Sequence, residues 1–142
     1  MKKYKHLFFD LDHTLWDFNT NSVDTLKEIY THFELSLKVK VPVEDFIATY
    51  QKINDELWGL YRIGKVTKEE LRSVRFENTL LEFEYTDSTL AESIGDYYIH
   101  HSPQKTGLLP NTIETLNYLK DKYVMHIITN GFAEIQNNKL NN

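Results

Sequence analysis

The stretch Tyr4-Lys-His-Leu-Phe-Phe-Asp-Leu-Asp-His-Thr14 begins as a strand and ends in two acidic residues. Its apolar residues become continuous over residues 7–9, as in a strand that is buried on both faces of a parallel sheet. Asp10 and Asp12 follow at once, and residues two apart on extended backbone point in the same direction. The stretch therefore predicts a strand over residues 4–9 whose carboxyl end carries two neighbouring carboxylates.

This carboxylate pair is suited to chemistry at the edge of a sheet. In open α/β sheets, ligands bind beyond the carboxyl ends of the strands. Two close carboxylates repel each other unless a cation or a proton lies between them. Asp10 and Asp12 therefore fit either a site for Mg²⁺, which takes oxygen ligands, or a nucleophile beside an acid/base group. The spacing by itself is equally typical of an Asp-rich turn or a helix cap.

A second strand-to-helix junction follows near the end of the chain. Residues 123–128 are predicted as a buried strand, residues 132–140 as the start of a helix, and Thr129-Asn-Gly131 as the turn between them. Backbone N–H groups at a helix N-terminus bind phosphate well, so a phosphate site is one interpretation of this turn. Simple capping of the helix by Thr129 or Asn130 is the other.

Four helices are predicted between the two junctions. Apolar spacing and cap residues place their starts near residues 19–22, at Pro42, at the capping box Thr67-Lys-Glu-Glu70 and near Ser88. A βαβ unit takes roughly 30 residues, far fewer than this helical part contains. We therefore predict an α/β fold: a Rossmann-like parallel-sheet core, partial in this chain and formed by residues 1–18 and 105–142, with residues 19–104 inserted as an α-helical cap domain. A single mixed domain whose helices pack on the sheet is the alternative.

The composition narrows the classes of function. With a formal net charge of −5 over 142 residues, the chain is a poor candidate for binding nucleic acid or a membrane surface. It contains no cysteine, which excludes disulfides, thiolate catalysis and cysteine metal sites. The six histidines show no ligand spacing. We expect a cytoplasmic protein that binds a small molecule, in an oligomeric state that the sequence leaves open.

Taken together, Phe8-Phe-Asp-Leu-Asp-His-Thr-Leu15 and Ile127-Ile-Thr-Asn-Gly131 resemble the first and second motifs of the haloacid dehalogenase (HAD) superfamily. Their order, their strand context and the helical insertion between them match as well. Within the superfamily, the chain resembles helical-cap phosphatases and nucleotidases. The resemblance implies a Mg²⁺-dependent phosphate monoester hydrolase that forms an aspartyl-phosphate intermediate. Its substrate would be a small-molecule phosphate ester, with nucleoside monophosphates as candidates.

The resemblance also implies roles for individual residues. Asp10 matches the nucleophile that becomes phosphorylated, and its carboxylate would bind Mg²⁺. Asp12 matches the acid/base that protonates the leaving oxygen and later activates water, and its backbone carbonyl would be a second metal ligand. Thr129 matches the hydroxyl that holds the transferring phosphoryl group, assisted by the backbone amides near Leu11 and Asn130.

In the inserted helices, the resemblance suggests where gating and substrate selection occur. The stretch Trp16-Asp-Phe18 matches a mobile hairpin that leads into the cap. Arg75 is the expected contact to substrate among four basic residues, which are Arg62, Lys65, Arg72 and Arg75. Solvated helix charges are the alternative for each of them. Helical spacing favours cap core over a nucleobase platform for four aromatic residues, Tyr50, Trp58, Tyr61 and Phe76.

Three alternatives stay open on the same scaffold. Dehalogenation is disfavoured by Asp12, because a halide leaves without a proton whereas an alkoxide needs one. Phosphomutase chemistry is compatible with the same residues. A truncated, catalytically inactive binding module is the third alternative. It follows from two further motifs of the superfamily, a lysine and an acidic pair, that are not recognisable before Asn142. Lys139 sits too early to match that lysine, so our hypothesis is that the chain is the N-terminal part of a longer protein.

Overall fold

Two parallel strands and seven helices form the described part of the chain, residues 4–142, in this computed structural model. The strands are β1 (His6–Phe9) and β2 (Val124–Ile127). The helices are α1 (Phe18–His32), α2 (Leu35–Lys38), α3 (Val43–Arg62), α4 (Lys68–Glu82), α5 (Ser88–His101), α6 (Thr112–Leu119) and α7 (Ala133–Asn141), and a 3₁₀ turn lies at Ser102–Gln104. Residues 1–3 of the predicted core lie outside the described range. Within that range, no helix is both long and apolar enough to cross a membrane.

The chain divides into two compact units. One contains the described residues up to Ser22 together with Ser102–Asn142, and the other contains Val23–His101. Both strands, α6 and α7 belong to the first unit, whereas the second is entirely helical. The predicted mixed α/β class with a parallel sheet is therefore confirmed. The role of the helical unit as a cap stays a prediction.

The sheet brings the two predicted junctions to one edge. β1 and β2 pair in parallel, from His6 opposite Val124 to Phe9 opposite Ile127. The ladder continues by one bond, because the Ile128 N–H donates to the Phe9 carbonyl at 2.9 Å. Since both strands run in the same direction, the residues that follow them emerge side by side at the carboxyl edge of the sheet.

The predictions that β1 is buried on both faces and that β2 is a buried strand are wrong for residues 4–142. Phe9 packs towards a small core around Trp16 and Leu116. The opposite face is open, with Phe8 64% and Val124 53% exposed. The physical reason is that two short strands offer two faces, and the described part of the chain covers one of them.

The first helix begins earlier than predicted. Asp17 is its cap: Oδ1 accepts from the Thr20 N–H at 3.1 Å, and Oδ2 accepts from the Thr20 hydroxyl at 2.7 Å. Asn21, predicted as a cap candidate, lies inside the helix and is buried. Its amide donates to the Gly107 carbonyl at 2.8 Å and accepts from the Gly107 N–H at 3.2 Å. A Cβ on Gly107 would lie 2.5 Å from Asn21 Oδ1, so this pair of hydrogen bonds requires glycine at position 107.

An apolar stripe at helical spacing from Val23 to Leu37 predicts a longer first helix than the one observed. The helix stops at His32, and Glu34 adopts a left-handed backbone conformation with φ 51°. Leu37, assigned to the stripe, instead lies on the separate short helix α2 and is 72% exposed.

The other helix predictions in the helical unit are confirmed. Pro42 occupies the N-cap position of α3, and Thr67 with Glu70 forms the expected capping box on α4. The core of the unit contains two of the four predicted aromatic residues, Tyr50 and Phe76, whose rings stack at 4.7 Å between centroids. The other two, Trp58 and Tyr61, are only half-buried and are not among the residues of this core. The local signals were sufficient here because each helix buries one stripe against its neighbours.

Glu70→Gln is expected to reduce the dependence of stability on acid pH. Hydrogen bonds from Thr67 lower the pKa of the Glu70 carboxyl below its ordinary 4.5, so the native state prefers the ionised form. That contribution to the free energy of unfolding is present above pH 4.5 and is lost as the pH falls through the lowered pKa. Glutamine keeps the capping geometry without the titration. Urea unfolding at several pH values measures the free energy of unfolding of both proteins. If that free energy falls with decreasing pH equally steeply in Glu70→Gln and in the wild type, the prediction is wrong.

Candidate active site

The turn after β1 holds the carboxylate pair. The Leu11 carbonyl accepts from the N–H groups of both Leu15 and Trp16 at 2.9 Å, which closes the turn immediately after the strand. Asp10 is exposed at the carboxyl edge of the sheet, and its Oδ1 accepts from the Leu11 N–H at 2.8 Å. The Leu11 amide, expected to hold phosphate, is therefore engaged by Asp10 in this structure.

Asp12 is the centre of a hydrogen-bonded network. Its Oδ1 accepts from Lys139 Nζ at 2.6 Å, and its Oδ2 accepts from Gln136 Nε2 at 2.9 Å. The Lys139 side chain is 5% exposed and that of Asp12 is 24% exposed. The Lys139 ammonium also lies 4.1 Å from the centre of the Trp16 ring, at cation–π distance. Lys139 and Asp12 thus form a partly buried ion pair, in which each charge compensates the other.

Lys139 experiences two opposing effects. Burial lowers the pKa of its ammonium from the ordinary value of 10.5, and the Asp12 carboxylate opposes that shift. Removing either partner would leave the other charge poorly compensated in a partly buried site, which is costly.

Thr129 joins the same network from the end of β2. Its Oγ1 accepts from Gln136 Nε2 at 2.7 Å and from the Gly131 N–H at 3.3 Å. Helix α7 begins at Ala133 with Phe132 at its N-cap, so neither Thr129 nor Asn130 serves as the cap. Asn130 itself is exposed. The capping interpretation of this turn is therefore wrong. Thr129 is instead linked to Asp12 through the side chain of Gln136, which donates to both residues.

Sequence reasoning missed two members of this network. The sequence assigns no role to Gln136, and Lys139 lies too early in the chain to match the lysine motif of the superfamily. Their signal was their spacing, because residues three apart on a helix share a face. That spacing on α7 predicts that the two side chains act together, and the structure directs both to Asp12.

The oxygen atoms at this edge fit part of a magnesium site. Mg²⁺ is usually bound through one or two carboxylates, with waters and substrate phosphates completing an octahedron. The Asp10 carboxylate and the Asp12 backbone carbonyl provide such hard oxygen atoms. Within residues 4–142, no group of three or more acidic or histidine side chains is placed to hold a metal ion.

Arg75 lies in the interior of the helical unit rather than on its surface. Its side chain is buried, with the guanidinium carbon 4.8 Å from the centre of the Tyr98 ring and 5.4 Å from that of Phe76. Nη1 donates to Asn54 Oδ1 at 3.4 Å, and Nε has no hydrogen-bond partner among residues 4–142. The other basic candidates, Arg62, Lys65 and Arg72, are exposed. A contact between Arg75 and substrate stays a prediction.

Arg75→Met is expected to keep or raise stability, by up to about 2 kcal/mol, because an apolar side chain of similar length replaces an incompletely bonded buried cation. Arg75→Ala is expected to lower stability by about 2 kcal/mol or more, because it leaves a cavity among aromatic rings. Thermal unfolding of both variants checks this. A large loss in the methionine variant would show that the charge itself supports the helical unit.

A parallel sheet whose carboxyl edge presents two aspartates and a threonine, followed by a helix that carries a lysine and joined to a separate helical unit, is the α/β arrangement that the two sequence motifs predict. The sequence model of haloacid dehalogenase-like hydrolases matches residues 4–142. The chain belongs to the haloacid dehalogenase-like hydrolase family.

Two curated relatives illustrate the match. A protein of Bacillus subtilis (strain 168) named as a HAD-hydrolase, YfnB, is 28% identical over 141 residues, which are 99% of this chain and 57% of YfnB. The pyrimidine 5'-nucleotidase YjjG of Escherichia coli (strain K12) is 30% identical over 138 residues, 97% of this chain and 56% of YjjG. The chain thus spans somewhat more than half the length of these relatives.

Solved structures agree on the fold. The crystal structure of B. subtilis YfnB bound to magnesium matches with a TM-score of 0.84 at 26% identity, over 99% of this chain and 58% of YfnB. The defluorinating L-2-haloacid dehalogenase Rha0230 matches with a TM-score of 0.71 at 16% identity, over 98% of this chain and 56% of Rha0230. The second likeness concerns the fold alone.

Proposed function

We propose that this chain is part of a Mg²⁺-dependent phosphate monoester hydrolase that works through an aspartyl phosphate on Asp10. The observation that carries the proposal is the network of Asp12, which is bonded to Lys139 and, through Gln136, to Thr129. An acid/base carboxyl that can act as a proton donor beside a phosphate-binding hydroxyl is what an ester with an alkoxide leaving group requires. A halide needs no such donor, so the network favours ester hydrolysis over dehalogenation.

In the first step of the proposed reaction, an Asp10 carboxylate oxygen forms a bond to phosphorus while the bond from phosphorus to the ester oxygen breaks. Asp12 is the anion of an ion pair in the resting site, so it takes up a proton from solvent or from the substrate monoanion before it donates that proton to the departing oxygen. In the second step, Asp12 takes a proton from water, whose oxygen attacks phosphorus and releases phosphate and Asp10. Thr129 holds the phosphoryl group through both steps. Bound Mg²⁺ would neutralise negative charge on the carboxylate and phosphoryl oxygens.

We also propose that the helical unit Val23–His101 is the cap that selects the leaving group. The support for this proposal is that the unit is compact and lies in sequence between the two strands that carry the site.

The names of two relatives suggest the substrate class. YjjG and PynA of Streptococcus pneumoniae (strain ATCC BAA-255 / R6) are both named as pyrimidine 5'-nucleotidases. Nucleoside monophosphates are therefore the proposed substrate class.

Phosphate release by the full-length gene product tests the proposal. The substrates are pyrimidine and purine nucleoside monophosphates and sugar phosphates, each with Mg²⁺ and with a chelator. We expect Mg²⁺-dependent turnover that favours nucleotides. Chloroacetate is included, and halide release without phosphate release would support dehalogenation instead. Absence of turnover on every ester would refute the proposed hydrolase.

A further inference from the structure

The Gln136 side chain lies between the two groups that the proposed reaction uses. A single nitrogen, Nε2, donates to Asp12 Oδ2 at 2.9 Å and to Thr129 Oγ1 at 2.7 Å. We propose that Gln136 is a positioning residue that fixes Asp12 and makes the Thr129 hydroxyl a hydrogen-bond donor to the phosphoryl group. This inference rests on the proposed function.

Hydrogen-bond accounting at Thr129 gives the direction of its hydroxyl. A hydroxyl has one proton to donate and two lone pairs to accept with. Gln136 Nε2 and the Gly131 N–H both donate to Thr129 Oγ1, so both lone pairs are used. The proton must point away from these two donors. It is then available to an acceptor, and the oxygens of a phosphoryl group are acceptors.

The orientation of the Gln136 amide follows from its neighbours. An NH₂ group has two protons, one for the Asp12 carboxylate and one for the Thr129 hydroxyl. A flipped amide would place Oε1 against the carboxylate, where two acceptors repel. In the orientation found, Oε1 has no hydrogen-bond partner in the described part of the chain, although Gln136 is only 3% exposed. An unbonded buried acceptor is unfavourable. A purely packing role would be filled better by an apolar side chain, so the amide has another use.

Gly131 makes room for this amide. A Cβ at Gly131 would lie 2.5 Å from Gln136 Nε2 and 2.6 Å from its Cδ. Such distances are not tolerated without displacement of the glutamine. The backbone of Gly131 does not have the positive φ found at Gly64, so the glycine is required by the neighbouring side chain rather than by its own conformation.

Lys139 completes the constraint on the acid/base residue. Lys139 holds Asp12 Oδ1 while Gln136 holds Oδ2. With both oxygens bonded from the same helix, the carboxylate has little freedom to rotate. Helix α7 therefore orients the Asp12 carboxylate through both Lys139 and Gln136. It orients the Thr129 hydroxyl through Gln136.

Gln136→Met in the full-length gene product tests the inference, because methionine keeps the length of the side chain without its donors. We expect kcat to fall on the order of 10- to 100-fold with an unchanged or higher melting temperature. Thr129→Val is expected to be at least as damaging. The double variant should lose less activity than the product of the two single effects, because Gln136 acts partly through Thr129 and partly through Asp12. Asn137→Met, an exposed neighbour on the same helix, is the control and should retain full activity.

Binding of inorganic phosphate, measured by calorimetry, separates the two proposals. Weaker phosphate binding in Gln136→Met, with wild-type protein that hydrolyses nothing, would support the positioning role and reject the hydrolase. Wild-type turnover with unchanged kcat and phosphate affinity in Gln136→Met would overturn the positioning role and leave the hydrolase standing. A loss of activity that only tracks a lower melting temperature would also overturn it.

Discussion

Asp10→Asn in the full-length gene product is expected to lower phosphate release by about 10⁴-fold or more, because the amide cannot form the aspartyl phosphate. The loss should be in kcat rather than in folding. Asp10 is exposed, and an amide oxygen can accept the hydrogen bond from the Leu11 N–H equally well. Steady-state phosphate release, with melting curves of both proteins, measures the effect.

Asp121→Asn is the matched control for this variant, because it makes the same chemical change at an exposed position in the same unit. It should retain wild-type turnover. Rapid-quench mass measurement adds a direct observation: a phosphorylated intermediate in the wild type that is absent from Asp10→Asn. If the asparagine variant keeps more than about a tenth of the activity, nucleophilic catalysis by Asp10 is excluded.

Asp12→Asn should give the second large effect, and its size should depend on the leaving group. General acid catalysis typically contributes 10²- to 10⁴-fold, so we expect a loss of about 10³-fold for alkyl phosphates such as nucleotides. For aryl phosphates with an acidic phenol, the loss should be at least about tenfold smaller, because the departing phenolate needs little protonation. An equal loss for both ester types would count against Asp12 as the acid.

The same substitution is expected to lower stability, since it leaves the nearly buried Lys139 ammonium without its anion. We estimate a cost of roughly 2–3 kcal/mol. The double variant Asp12→Asn with Lys139→Met removes the unpaired charge and should recover most of this stability but none of the activity. That pattern separates the catalytic contribution of Asp12 from its contribution to the fold.

Much of the helical unit could be predicted from local sequence. The N-cap at Pro42 and the capping box at Thr67 are interactions between residues a few positions apart, so the signals lie within short windows. The apolar stripe that contains Phe46 and Tyr50 works in the same way, because helical periodicity determines which side chains share a face.

The start of α1 shows where such signals fail. Four polar residues in a row offered several possible caps, and the sequence favoured the wrong ones. The choice of Asp17 is linked to Asn21, whose amide is bonded to Gly107, 86 residues away. A residue recruited by a distant partner cannot be distinguished from a cap candidate by its neighbours in sequence.

The sequence by itself determined the two motifs, their order and the family they indicate, because each motif is a short run read along one strand and its turn. Only the tertiary structure decided that α7 brings Gln136 and Lys139 to Asp12. Gln136 is 124 positions from Asp12 in the chain, and Lys139 is 127 positions from it. The spacing of the two on one helix predicts a shared face. What that face meets depends on how the helix packs after the sheet has formed, and no local pattern records that packing.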